Sequence, residues 1–130
     1  MNSLTIESTE TSPKISLDPS GKLLMEGESR PENVVKFFEP IMAWLQEYQQ
    51  AVKDGSVSKT AAFDFKLEYF NSSSAKFIMD VFIELEKAVQ NGLSLQINWY
   101  YEELDEDLLE SGEEYQKLVK IPFNFIPITD

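Results

Sequence analysis

The sequence has 130 residues and a formal charge of −12, from 23 acidic against 11 basic side chains. That length suits one domain with a core of its own, and the charge argues against nucleic acid and anionic membrane surfaces, which both need clustered Lys and Arg. With no cysteine and no histidine, disulfides, thiolate chemistry, zinc and iron–sulfur sites and histidine-based acid–base catalysis drop out, and no residue pattern points to a cofactor.

Residues 1–12, rich in Ser, Thr and Glu, read as a flexible N-terminal tail, and residues 13–130 as a single domain. Two apolar runs flank "DPSG", whose Pro19 and Gly21 suit a tight turn, so the spacing predicts a hairpin of strands near 14–18 and 22–26. A long helix follows to Gly55. Pro31 is expected in its first turn, Glu32 near its positive end, and Val34, Phe37, Phe38, Ile41, Leu45 and Tyr48 form its apolar stripe. Pro40 interrupts that stripe and predicts a kink near Lys36–Glu39 or two shorter helices.

Thr60 to Phe70 alternates, with Phe63, Phe65, Leu67 and Tyr69 to one side and Asp64, Lys66 and Glu68 to the other, as a half-buried strand does. A second helix starts at the serines of "NSSSAKFIMD" and stops at "NG". Leu93 to Tyr101 alternates again. A third helix spans about Asp105 to Lys117, with Leu104, Leu108, Tyr115 and Leu118 on one side, and "IPFNFIPI" reads as an edge strand because its prolines cannot serve a central ladder. Strands joined through a helix are expected to be parallel. Their alternation, instead of continuous apolar runs, predicts helices mainly on one face of the sheet and a wet opposite face. No basic-then-apolar leader and no membrane-spanning run is present, so a cytoplasmic protein is expected.

The three serines Ser72, Ser73 and Ser74 exceed what a helix start needs. Asn71 or Ser72 can serve as the N-cap, worth about 1 kcal/mol. If Asn71 caps by itself, the hydroxyls are left free. At roughly 100° per residue from Ile78, the stripe Ile78, Phe82, Leu85 and Val89 is the core seam, and Met79 and Ile83 lie on a shoulder that also holds Ser72, with Ala75 close by. Lys76, Asp80, Glu84 and Lys87 form a narrow polar side. The helix is thus more apolar than one covered face requires. Either it is packed between neighbours, or the excess is a docking patch with a hydroxyl at its edge. A phosphate there adds about −1.5 to −2 charge and gains about 0.3–1 kcal/mol from the helix dipole. A partner covering Met79 and Ile83 would have to bury that charge, at a cost of several kcal/mol.

"GESRPENVVKFFEPIMAWL", "LEYFNSSSAKFIMDVFIELEKA" and "INWYYEELDEDLLESGEEY" together resemble the SiaC-type regulatory phosphoproteins of bacteria, over about Lys14 to Ile128. The resemblance implies an α/β (α+β-like), STAS-like fold, a small mixed sheet of about five strands with helices mainly on one face, similar to anti-sigma-factor antagonists. It implies a non-enzymatic signalling protein, modified by a cognate Ser/Thr kinase and a PP2C-like phosphatase, that binds a GGDEF diguanylate cyclase when unphosphorylated. The modified residue of the family directly follows the Asn of the strand-to-helix motif, which here is Ser72. The best-known members carry Thr at that place, so Ser73 and Ser74 stand as secondary candidates. Asn71, Ala75, Met79 and Ile83 are the expected partner-binding residues.

Two other functions compete. "EELDEDLLESGEE" holds a run of carboxylates that could bind a divalent ion, but its spacing is not that of an EF-hand loop, and a solvated helix face or an electrostatic surface for a basic partner fits it better. Asp64 and Glu68 share a strand face as paired carboxylates do in some enzymes, yet no base or phosphate loop converges on them. An anti-sigma-factor-antagonist-type partner switch with a different target is the alternative to the cyclase reading.

Overall fold

The computed structural model describes residues 1–129. The elements run β1 (Leu4–Ile6), β2 (Lys14–Leu17), β3 (Lys22–Ser29), α1 (Val34–Asp54), β4 (Thr60–Phe70), α2 (Ser72–Gln90), β5 (Ser94–Glu102), α3 (Glu106–Leu118) and β6 (Phe123–Ile128). The sheet has six strands in the order β1-β2-β3-β4-β5-β6. The first three are antiparallel neighbours, and β3 to β6 are parallel. It is the mixed α/β architecture expected, with one strand more.

That extra strand lies in the segment read as a tail. Leu4–Ile6 pairs with Leu17–Ile15, Leu4 and Ile6 pack against the core, and the Trp44 indole donates to the Asn2 carbonyl at 2.8 Å. Further on, Arg30 N–H donates to Thr11 C=O at 2.8 Å. Ser/Thr/Glu composition hid two apolar residues at strand spacing.

The alternation of β4 and β5 sends Ala61, Phe63, Phe65, Leu67, Leu95, Ile97 and Trp99 into the core, and Ala62, Gln96 and Glu68 to solvent. Asp64, Asn98 and Asn124 form a hydrogen-bonded polar row on the open side. Each parallel connection passes through one helix to the next strand, so α1, α2 and α3 follow strands with their N-termini at the carboxyl edge of the sheet. Open α/β sheets bind their ligands at that edge.

Local readings shift in four places. Helix α1 starts at Val34 under Asn33, whose side chain accepts from Lys36 N–H at 3.0 Å, so Pro31 and Glu32 precede the helix instead of opening it. Pro40 leaves α1 continuous. The proline is on the solvent side, where water can take the freed carbonyl, and Phe38, Ile41, Leu45 and Tyr48 anchor the helix on either side of it. A bulge between Gly27 and Glu28 sets Leu67 opposite Gly27 but Tyr69 opposite Glu28, which turns Tyr69 outward, 50% exposed, and Phe70 inward against Trp99 and Tyr115. On α3 the buried face is Leu108, Gly112 and Tyr115, while Leu104 and Leu118 are exposed. Gly112 is required there, because a Cβ would run into the Trp99 indole at 2.6 Å.

Helix α2 lies between the other two. Phe77 stacks on Phe38 of α1 at 5.2 Å, and Phe82 meets Tyr115 of α3 at 5.0 Å. Much of the apolar excess of α2 is thereby covered. Glu84, which the spacing places on the polar side of α2, is buried; its carboxylate pairs with Lys87 at 3.0 Å. Among the described residues no helix is long and apolar enough to cross a membrane.

Candidate functional site

The candidate site is the turn from β4 into α2. Asn71 is extended, with φ −84° and ψ 174°, and its side chain accepts from Ser74 N–H at 2.9 Å. Its own N–H donates to Ser29 C=O, at the end of β3, at 3.0 Å. A helix N-terminus presents amides without intrahelical partners; here one is capped by Asn71 and the entry is pinned to the neighbouring strand. The cap is therefore Asn71, as one reading of the sequence had it.

The serines divide. Ser72 and Ser73 are exposed, and neither side chain is hydrogen-bonded among the described residues. Ser74 is fully buried. Its hydroxyl donates to Ser29 C=O at 2.9 Å and accepts from Ser29 Oγ at 2.8 Å. A kinase has to reach its acceptor, so the burial that makes Ser74 a structural residue counts against it as a secondary acceptor.

Helical geometry separates the remaining two. At roughly 100° per residue, Ser72, Met79 and Ile83 fall within about 20° of one line along α2. Ser73 instead heads the row of Lys76, Asp80 and Lys87. Along the axis Met79 is about 10 Å and Ile83 about 16 Å from Ser72. Ile83 is 40% exposed, Met79 is partly buried against the core, and Ala75 is half-buried, its carbonyl accepting from Tyr115 OH at 2.8 Å. The exposed apolar strip is narrow, and Ile83 is its most accessible member.

The electrostatics suit an added anion. The first turn of α2 holds no acidic residue, so the positive end of its dipole is unopposed. Lys76, one turn on, forms no ion pair among the described residues, where the pairs are Arg30–Glu28, Lys87–Glu84 and Lys117–Glu114. Burial pushes the Tyr115 phenol above its ordinary range, which keeps its proton available to Ala75.

The other candidates stay apart. Asp64 accepts from Asn98 at 2.8 Å on the open sheet face, and Glu68 lines a different, shallow depression of about 270 Å³ with Tyr69, Phe70, Asp105 and Ser111. Glu102, Asp105, Glu106 and Asp107 border an open depression of about 510 Å³ around Leu104, and among the described residues no three potential ligands are grouped to hold a metal ion. The Ser29 anchor had no local signal in the sequence, because it contacts the motif from 45 positions away.

Comparison with known proteins converges on one family. A family model described as SiaC family regulatory phosphoprotein matches residues 6–128. An uncharacterised protein of Pseudomonas aeruginosa strain UCBPP-PA14 is 33% identical over 124 residues, covering 95% of this chain and 94% of that protein. The crystal structure of apo-SiaC from Pseudomonas aeruginosa superposes with a TM-score of 0.83 at 30% identity, over 97% of this chain and 99% of that one. The activator SiaC in its complex with the diguanylate cyclase SiaD, also from Pseudomonas aeruginosa, gives a TM-score of 0.85 at 30% identity, over 96% and 99%.

Proposed function

This chain belongs to the SiaC family of regulatory phosphoproteins, and from that membership we propose that it is a non-enzymatic switch whose phosphoryl acceptor is Ser72. Unphosphorylated, it binds and regulates a GGDEF diguanylate cyclase through the row that runs from Ser72 along Met79 to Ile83, with Asn71 and Ala75 at its margin. Phosphorylation by a cognate Ser/Thr kinase ends that binding, and a PP2C-like phosphatase restores it. Modification at the expense of a nucleoside triphosphate fits action in the cytoplasm.

The observation that carries this reading is the Ser72 hydroxyl, exposed, without a hydrogen-bond partner among the described residues, and aligned with the exposed Ile83. A dianion at that position is favoured by the helix amides, with no acidic residue in the first turn, so the fold tolerates it. A partner that covers the row must bury it without a counter-charge, at a cost of several kcal/mol. The relative in the solved SiaC–SiaD complex is described as the activator of a diguanylate cyclase, which supports the choice of partner.

Phosphate-affinity electrophoresis of the protein isolated from its native cell tests the proposal. A retarded band that disappears in Ser72→Ala is expected. A band that survives this substitution overturns the assignment of the acceptor.

A further inference from the structure

We propose that Ser29 is a positioning residue for the modification, and that its buried hydroxyl pair with Ser74 sets which serine receives the phosphoryl group. The inference rests on the reading of Ser72 as acceptor and concerns how that choice is enforced. In the transfer, Ser72 Oγ bonds the γ-phosphorus of a nucleoside triphosphate, the nucleoside diphosphate leaves, and the hydroxyl proton is released. The same chemistry is open to Ser73, the next residue, which is also exposed.

What distinguishes the two is direction, since consecutive helical residues point roughly 100° apart. Direction has meaning only while the first turn holds its shape, and helix ends fray. The usual device against fraying at this place is a Glu or Gln at the third helical position that reaches back to the cap N–H. That position here is Ser74. The Asn71 N–H goes instead to Ser29 C=O at 3.0 Å. The same carbonyl accepts the Ser74 hydroxyl at 2.9 Å, and Ser29 Oγ closes the set by donating to Ser74 Oγ at 2.8 Å. Both serines are completely buried. A strand end thus replaces the reciprocal cap, and it fixes the turn from inside, with Ser72 over the apolar row and Ser73 over the polar one.

This accounts for all three serines. One is the acceptor, one is its exposed neighbour, and the third is half of the lock. Loosening the lock lets both exposed hydroxyls sample the position that a kinase seated on the apolar row selects.

The test is phosphosite mapping of full-length protein from the native cell, read on the peptide Leu67–Lys76, for wild type, Ser74→Ala, the double variant Ser29→Ala/Ser74→Ala, and Ser29→Thr. Wild type is expected to carry phosphate on Ser72. In Ser74→Ala and the double variant the ratio of Ser72 to Ser73 occupancy drops several-fold, with helical circular dichroism retained. Ser29→Thr, which keeps the hydroxyl on a strand residue, holds the wild-type ratio. An unchanged ratio in Ser74→Ala and the double variant, with only a lower melting temperature, overturns the inference and leaves Ser72 as acceptor. Phosphate absent from Ser72 in wild type overturns the acceptor assignment itself.

Discussion

Tyr115 OH donates to the carbonyl of Ala75 at 2.8 Å, so α3 is fastened to the first turn of α2, one turn below Ser72. The ring also packs on Phe82 at 5.0 Å and Trp99 at 5.7 Å. In Tyr115→Phe the ring contacts remain and one hydrogen bond goes, which typically costs about 0.5–1.5 kcal/mol. The melting temperature is expected to fall by about 2–6 °C, with secondary structure unchanged. No shift would mean that the bond adds nothing to the seam.

Ser72→Ala and Ser72→Asp separate charge from shape. Both should fold as the wild type does, because the position is exposed and the helix start favours a carboxylate. Ser72→Ala is expected to bind the cognate cyclase as the unmodified protein does. Ser72→Asp places one uncompensated charge beneath the partner and is expected to weaken binding tenfold or more, about 1.4 kcal/mol. Calorimetric titration decides, and equal affinities would remove charge exclusion as the mechanism.

The two apolar residues below Ser72 are not equivalent tests of docking. Ile83 is 40% exposed, so Ile83→Lys should change stability by no more than about 0.5 kcal/mol while reducing cyclase affinity. Met79 packs against the core, so Met79→Lys is expected to lose about 1–3 kcal/mol as well as binding. Thermal melts paired with titrations of both variants check this. Retained affinity in Ile83→Lys would place the interface elsewhere.

Periodicity and turn signals within single elements made β2 to β6 and the three helices legible in the sequence. The failures come from partners distant in sequence. Tyr69 and Phe70 exchange sides because β4 bulges against Gly27 and Glu28, which a period of two cannot foresee. Glu84 has polar neighbours on its own helix but is buried; seven residues on from Phe77, it shares the helix face from which Phe77 stacks on Phe38 of α1. The strand β1 has three residues and exists through pairing with β2. Ser74 looked interchangeable with Ser72 and Ser73 until Ser29 supplied its partner. Gly112 carried a readable sign, a glycine inside a helical pattern, which often marks a close approach.

The Tyr48 hydroxyl is buried without a hydrogen-bond partner among the described residues, and burial pushes its phenol up to about 12. Such a group costs about 1–3 kcal/mol of desolvation, so Tyr48→Phe is expected to be at least as stable as the wild type at neutral pH, since the ring still stacks on Trp44 at 4.8 Å. The pH dependence has a definite sign. An ordinary phenol ionises near 10, so the unfolded chain loses this proton first as pH rises. The contribution to stability is complete below about pH 10 and is lost between about 10 and 12, up to about 2–3 kcal/mol. Tyr48→Phe removes this term, and the margin between variant and wild type should widen over that interval. Denaturant melts at pH 7 and pH 11 measure both effects. A variant clearly less stable than the wild type at pH 7 would show that the hydroxyl is satisfied in solution.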